Sequence, residues 1–128
     1  MTVRMDGQGR KPRAFVIEDD VQTQRLLAEL IAARGLEPIA FTRISSARRA
    51  FSERPPAVMV VDDELPDGTG AELVRELRHD PRMRQVRVLF CTAANAARQR
   101  EMSRLAPVIG KPFRLHDMER ALSEVVAG

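Results

Sequence analysis

Short apolar segments alternate with amphipathic segments along almost the whole chain, and this alternation restricts the fold more than any other feature of the sequence. Five apolar runs predict strands, at residues 14–17, 37–41, 58–61, 86–91 and 108–109. Five segments with apolar residues at helical spacing predict helices, at residues 21–34, 44–53, 71–78, 95–105 and 115–126. Strands that alternate with helices form βαβ units, so the chain is predicted to be an α/β protein with a parallel sheet covered on both faces.

The length and composition fit one domain of this kind. A chain of 128 residues can bury a substantial core, and the sequence is 44% hydrophobic and 30% charged. It contains neither a run of about 18 apolar residues nor an apolar signal segment at its N-terminus, so we expect a cytoplasmic protein. The single cysteine, Cys91, excludes an intrachain disulfide and is expected to be a buried apolar side chain.

The net charge of +3 lies in the first residues of the chain. Residues 1–13 carry four basic residues and one acidic residue, so the remaining 115 residues have no net charge. This segment lacks apolar periodicity, and we predict a disordered basic leader at residues 1–13 before a folded domain at residues 14–128. An anionic partner for the leader is the alternative. The five aromatic residues are scattered phenylalanines and predict no stacking surface for nucleic acid.

Polar residues follow four of the five predicted strands. Glu18 and Asp19 follow the first strand, Asp62 the third, Thr92 the fourth and Lys111 the fifth. The carboxyl ends of parallel strands meet at one edge of a sheet, where ligands bind in open α/β folds. The fold alone therefore predicts that these side chains lie close together.

The gathered residue types suit phosphoryl transfer. Three carboxylates at one edge repel one another unless a cation shares them, and hard oxygen ligands favour Mg²⁺. A threonine hydroxyl and a lysine ammonium provide a donor and a charge for phosphoryl oxygens. Of the 21 basic residues only Lys11 and Lys111 are lysines, which indicates that position 111 needs a compact ammonium group.

Four segments in order, FVIEDD, VVDDELPDGTG, LFCTAA and VIGKPF, give the chain its resemblance to a known family. Over residues 14–126 it resembles the receiver domain of bacterial two-component response regulators, of the stand-alone chemotaxis type. The resemblance implies a flavodoxin-like, doubly wound sheet of five parallel strands with five helices and strand order 2-1-3-4-5.

The resemblance also implies a role for each site residue. Asp62 matches the phosphoacceptor, because Pro66 follows it by four residues. Glu18 and Asp19 match the acidic pair that binds Mg²⁺ together with Asp62. Glu64 matches the position whose backbone carbonyl binds the metal and whose side chain influences hydrolysis of the acyl phosphate.

Four further positions concern the phosphorylated state. Thr92 and Lys111 match the residues that contact the phosphoryl group, and Ala93 is small, as the approach of that group requires. The family often has an aromatic switch residue three positions before the lysine. This chain has Val108 there, so the resemblance does not imply a switch that works by rotating an aromatic ring.

The implied function is that of a phosphorylated switch rather than a turnover enzyme. Asp62 would accept a phosphoryl group from a histidine kinase or a histidine phosphotransfer protein and lose it by slow auto-dephosphorylation. The output would be contact with a downstream protein, since neither a DNA-binding domain nor a membrane segment is expected. A dimer that forms on phosphorylation is a further option.

Other interpretations remain open at this point. The chain could be a degenerate receiver that binds partners without phosphorylation, or a receiver fragment of a hybrid histidine kinase. A phosphohydrolase of the haloacid dehalogenase type also uses an aspartate after a strand, but its DxD pattern near the start of the chain is missing here. Solvated positions are predicted for the arginines of the fourth helix, with partner docking as the alternative, and for both histidines: Arg98, Arg100, Arg104, His79 and His116.

Overall fold

The structure is a computed structural model that describes Met5 and residues 8–128. The other residues of the predicted leader, 1–4, 6 and 7, lie outside the described residues. Arg13, the last residue assigned to the leader, is instead the first residue of the first strand, where its backbone pairs with Glu37.

Seven strands and five helices form the described part of the chain. The strands are β1 Arg13–Ile17, β2 Glu37–Phe41, β3 Val58–Val61, β4 Glu64–Leu65, β5 Gly68–Thr69, β6 Arg87–Thr92 and β7 Val108–Gly110. The helices are α1 Val21–Ala32, α2 Ile44–Glu53, α3 Gly70–His79, α4 Ala96–Met102 and α5 Leu115–Ala127.

Five of the strands form one parallel sheet in the order β2-β1-β3-β6-β7. The other two, β4 and β5, form a short antiparallel hairpin that the sequence did not predict. With this hairpin set aside, the sheet has the predicted order 2-1-3-4-5. The carboxyl ends of β1 and β3 therefore lie side by side, with β6 and β7 next to them.

Helices cover both faces of the sheet, and each face has its own apolar core. On one face the sheet residues Phe15 and Phe90 pack with side chains of α2, α3 and α4. On the other face Val16 and Leu89 pack with α1 and α5. Each large apolar side chain that is fully buried contributes about 1.5–3 kcal/mol, so these two cores hold the strand ends in register. Cys91 is buried in the second core, as predicted.

Several element boundaries differ from the predictions for local reasons. Helix α1 ends at Ala32 rather than Arg34, because the chain tightens into i−3 hydrogen bonds and Gly35 takes a φ of 84°. Helix α4 is shorter than predicted at both ends. Asn95 is its N-cap, since the side chain accepts from the N–H of Arg98, and the chain turns after Met102.

Candidate functional site

Three carboxylates meet at the carboxyl end of the sheet. One oxygen from each of Glu18, Asp19 and Asp62 lies within 4.8 Å of the other two. The sheet sets this geometry, because the N–H of Asp62 donates to the carbonyl of Ile17 at 3.0 Å and so continues the pairing of β1 with β3. Glu18 and Asp62 are buried, with 2% and 7% of their surface exposed, whereas Asp19 is exposed.

Lys111 joins this acidic cluster from the loop after β7. Its Nζ donates to Asp62 Oδ2 at 2.9 Å and also to Glu18 Oε1. The Lys111–Pro112 peptide bond is cis. The structure thus brings Glu18, Asp19, Asp62 and Lys111 together, as the strand order predicts.

Burial changes the protonation of Glu18 within the acidic cluster. Burial raises the pKa of the Glu18 carboxyl from 4.5 to about 7, although its hydrogen bond with Lys111 acts in the opposite direction. Burial by itself would lower the pKa of the Lys111 ammonium. The hydrogen bonds to Glu18 and Asp62 outweigh that effect and raise its pKa. The lysine is therefore charged at neutral pH, and it faces more negative charge than it can balance.

Thr92 is the last residue of β6 and is fully buried. Its hydroxyl oxygen accepts from the N–H of Ala94 at 3.2 Å, and its carbonyl accepts from the N–H of Lys111 at 2.8 Å. The backbone therefore connects Thr92 directly to Lys111. Ala93 is exposed beside it. Val108 pairs with Phe90 in the sheet and packs half-buried against the first core.

The segment after Asp62, the predicted phosphoacceptor, folds tightly back on this residue. The N–H of Glu64 donates to Asp62 Oδ1 at 3.2 Å, and Glu64 is exposed. At Gly70, a Cβ atom would lie 2.3 Å from the carbonyl oxygen of Asp62, a distance that no side chain tolerates. Only glycine allows α3 to begin this close to the site. The metal-binding role of the Glu64 carbonyl stays a prediction.

The structure also shows a partly buried ion pair that the sequence did not indicate. Asp63 is 4% exposed, and its carboxylate accepts two hydrogen bonds from Arg98 of α4, at 2.8 and 3.2 Å. These hydrogen bonds raise the pKa of Arg98. The prediction of a solvated side chain therefore holds only in part for Arg98, because its side chain is 29% exposed and pairs with the carboxylate two residues after β3. Periodicity cannot pair residues that are 35 positions apart.

The remaining side chains predicted to be solvated are exposed. Arg100 and Arg104 lie on the outer surface of α4 and the turn that follows it. His79 and His116 are also exposed, and His116 contacts Arg120 one helical turn later.

The donor set fits a hard divalent cation. Glu18, Asp19 and Asp62 offer carboxylate oxygens that lie close enough together for one ion to share them. Because three carboxylates face one ammonium group, negative charge remains that such an ion would balance. Glu18, Asp19 and Asp62 are thus the residues that could hold Mg²⁺.

Comparison with known proteins identifies the family to which this fold and this arrangement of side chains correspond. A family model described as the response regulator receiver domain matches residues 14–123. The chain belongs to the response regulator receiver domain family. The resemblance to receiver domains and the flavodoxin-like fold, both predicted from the sequence, are confirmed.

Relatives of this receiver domain are bacterial regulatory proteins. The photosynthetic apparatus regulatory protein RegA of Rhodovulum sulfidophilum is 37% identical over 70 residues, which cover 55% of this chain and 38% of RegA. The receiver protein CpdR of Brucella abortus is 26% identical over 118 residues, which cover 89% of this chain and 96% of CpdR. The chain thus spans less than half of RegA and nearly all of CpdR.

A solved structure shows the same architecture. The non-phosphorylated HemR receiver domain of Leptospira biflexa is 28% identical and has a TM-score of 0.80, with 92% of this chain and 96% of that domain covered. Across Met5 and residues 8–128, none of the helices is long and apolar enough to cross a bilayer.

Proposed function

We propose that this receiver domain accepts a phosphoryl group on Asp62 and that the modification changes a protein-binding surface. One observation carries the proposal: Lys111 Nζ contacts Asp62 and Glu18 at the edge of the sheet where Asp19 also lies. A phosphoacceptor carboxylate needs both a nearby ammonium group and oxygen ligands for a metal, and this edge provides both.

The reaction is an in-line displacement at phosphorus. An oxygen of Asp62 attacks the phosphorus of a phosphohistidine on a histidine kinase or phosphotransfer protein. The new O–P bond forms as the P–N bond breaks, and the electron pair of the P–N bond stays on the imidazole nitrogen, which takes a proton. Lys111 holds Asp62 Oδ2 and the N–H of Glu64 holds Oδ1, so the carboxylate is oriented before the donor arrives.

The acidic cluster supports the same reaction. Glu18, Asp19, Asp62 and the backbone carbonyl of Glu64 would hold Mg²⁺, which supplies positive charge to the oxygens of the transferring phosphoryl group. The small side chain of Ala93 leaves space for that group. The exposed Glu64 side chain stands where it can influence access of water to the acyl phosphate.

The conformational response begins at Thr92 and Lys111. In the unmodified structure the Thr92 hydroxyl oxygen accepts from Ala94. Donation from this hydroxyl to a phosphoryl oxygen draws β6 and the loop before α4 toward Asp62. The backbone bond between Thr92 and Lys111 transmits the movement to β7. Val108 lies on β7, so the response works through this backbone rather than through an aromatic ring.

The wider role follows from these steps. The domain acts as a self-phosphorylating acceptor with slow loss of phosphate, and it works in the cytoplasm between a histidine kinase and a downstream protein. Residues 14–128 together with Arg13 of β1 form the receiver, and the residues before Arg13 are its basic leader. We propose a single-domain regulator that dimerises or binds its partner according to the state of Asp62.

Intact-mass measurement with the phosphodonor acetyl phosphate tests the assignment. Wild type should gain one phosphoryl group only when Mg²⁺ is present, and Asp62→Asn should gain none although it folds normally. Asp63→Asn is the matched control, because it removes the adjacent carboxylate and should still be labelled. Labelling of Asp62→Asn would contradict the assignment. Lack of labelling in wild type would favour a degenerate receiver that binds its partners without phosphorylation.

A further inference from the structure

The ion pair between Asp63 and Arg98 lies directly beside the proposed phosphoacceptor. The Asp63 side chain, 5% exposed, also accepts from the N–H of Ala71 at 3.1 Å, and its backbone carbonyl accepts from the N–H of Gly70 at 3.0 Å. Asp63 is thus fixed to the beginning of α3. The fixed carboxylate of Asp63 therefore provides a rigid acceptor for a donor that binds its remaining oxygen lone pairs.

Arg98 uses this acceptor to hold α4. Its Nε donates to Asp63 Oδ2 at 2.8 Å and its Nη2 donates to Oδ1 at 3.2 Å, which is the two-pronged geometry of a strong arginine–carboxylate pair. All seven residues of α4 are described, and Met102 is the one that is buried. The apolar attachment of this helix is therefore small, and the ion pair adds a polar attachment at its first turn.

We infer that the Asp63–Arg98 pair is a latch that holds α4 in its unphosphorylated position and opposes phosphorylation of Asp62. The inference rests on the proposed function and adds a regulatory element to it. Asn95, the N-cap of α4, lies three residues after Thr92, so movement of Thr92 toward a phosphoryl group pulls on the beginning of the helix. Helix α4 cannot follow unless Arg98 releases Asp63.

Charge makes the latch sensitive to the phosphoryl group. Phosphorylation adds about one negative charge beside Asp63, which competes with that carboxylate for Arg98. The latch therefore sets the free-energy difference between the two positions of α4. A ligand that binds only when α4 has left its unphosphorylated position binds more weakly, because only a fraction of the molecules is in that competent state. Removal of the latch increases this fraction and should therefore strengthen binding.

Beryllofluoride with Mg²⁺, a non-covalent mimic of the phosphoryl group, provides the test. We expect Asp63→Asn and Arg98→Gln each to bind it about fivefold more tightly than wild type, in titrations followed by amide NMR. The double variant should bind no more tightly than either single variant, because both remove the same interaction. Arg100→Gln, which changes an exposed arginine of the same helix, should bind as wild type does.

The two single variants distinguish a latch from a direct electrostatic effect of the substituted charge on the bound anion. Loss of the negative Asp63 alone would strengthen binding of an anion, whereas loss of the positive Arg98 alone would weaken it. A latch predicts tighter binding in both. Faster hydrogen exchange of the α4 amides in both unmodified variants is the second expected result, and it does not depend on beryllofluoride.

Each outcome decides between the hypotheses. If wild type does not bind beryllofluoride, the proposed function fails. If wild type binds and Arg98→Gln binds equally or more weakly, the latch is refuted while the proposed function stands. Tighter binding by Arg100→Gln would also contradict the latch, because it would show a general effect of charge on α4.

Discussion

Asp62 and Asp63 are neighbours in the chain but serve different parts of the molecule. Side chains alternate along β3, where Val60 belongs to the core beneath α1 and α5 and Val61 to the core beneath α2, α3 and α4. The alternation continues past the strand, so Asp62 meets Lys111 while Asp63 meets Arg98 of α4. Two adjacent carboxylates therefore link the proposed phosphoacceptor to α4.

The raised pKa of Glu18 predicts a pH-dependent stability. The folded state binds the Glu18 proton more tightly than the unfolded state does, since the pKa is about 7 against 4.5. The stability gained from this tighter proton binding by Glu18 is fully present below pH 4.5 and is lost as the pH rises through 7. At pH 8 without Mg²⁺, ionised Glu18 thus costs up to about 3 kcal/mol, and Glu18→Gln should raise the free energy of unfolding by about 1–3 kcal/mol.

Urea denaturation at pH 8 and near pH 4.5 checks this prediction. The stabilisation by Glu18→Gln should disappear toward pH 4.5, where Glu18 of wild type is protonated. Glu29→Gln, a change on the exposed surface of α1, should have no effect at either pH. An equal gain for Glu18→Gln at both pH values would show that ionisation of the buried Glu18 carboxyl is not the cause.

Residue types and strand ends predicted the acidic cluster, because the edge of a parallel sheet brings Glu18, Asp62 and Lys111 together. The partner of Asp63 could not be found in the same way. Nothing in the sequence pattern distinguishes Arg98 from Arg100, and only the packing of α4 decides which arginine turns inward. The pairing of Asp63 with Arg98 depends on tertiary packing, which local periodicity cannot predict.

At the scale of the elements, the β4–β5 hairpin has a structural role beyond forming the site. Asp67 lies in its turn, and its two carboxylate oxygens accept from the N–H groups of Ile44 and Ser45 at 2.9 and 3.0 Å. Arg43, the N-cap of α2, provides no side-chain hydrogen bond that caps the helix. The hairpin therefore caps a helix 22 residues earlier in the chain. The rules for local capping cannot predict this contact.

Substitution of Asp67 tests the cap. Asp67→Ala should lower the Tm and increase hydrogen exchange in the first turn of α2, because two N–H groups lose their acceptor. Asp67→Asn should have a smaller effect, since it keeps one carbonyl oxygen. Faster exchange throughout the protein, without preference for α2, would contradict a local capping role.

At the scale of the whole molecule, the fold separates charges that cancel in the sequence. All strands of the sheet point toward the acidic cluster, so the carboxyl ends of the helices lie at the opposite edge. Arginines bond backbone carbonyls there: Arg34 to Glu119, Arg54 to Lys11, Arg78 to Val86 and Arg87 to Val126. Cations near helix carboxyl ends are favourable, and Arg34, Arg54 and Arg78 lie at or just beyond the ends of α1, α2 and α3.

Arg78 offers a test of this arrangement. Its Nη1 donates to the carbonyls of Arg84 and Val86 at 2.8 and 2.7 Å, so Arg78→Ala leaves two carbonyls without that donor and should cost about 1–3 kcal/mol of unfolding free energy. Arg82→Ala is the control, because Arg82 forms an exposed ion pair with Asp80 at 3.4 Å and its loss should not change the stability measurably. Equal effects of the two substitutions in urea denaturation would contradict a stabilising role for the hydrogen bonds of Arg78.

The overall topology was only partly predictable from the residues. Alternating strands and helices predict a parallel sheet, because βαβ crossovers favour it. They do not fix which strands are neighbours, since several right-handed orders satisfy the same pattern. The order 2-1-3-4-5 came from the resemblance carried by the motifs around Asp62 and Lys111.

Direct mapping of the modified residue is the most informative measurement. The protein is incubated with acetyl phosphate and Mg²⁺, the acyl phosphate is reduced with borohydride to the alcohol homoserine, and peptide mass spectrometry locates the converted residue. We predict conversion at Asp62, with no conversion when Mg²⁺ is left out. Conversion at Asp63 or Asp19 instead, or conversion that does not depend on Mg²⁺, would contradict the assignment of Asp62 as the phosphoacceptor.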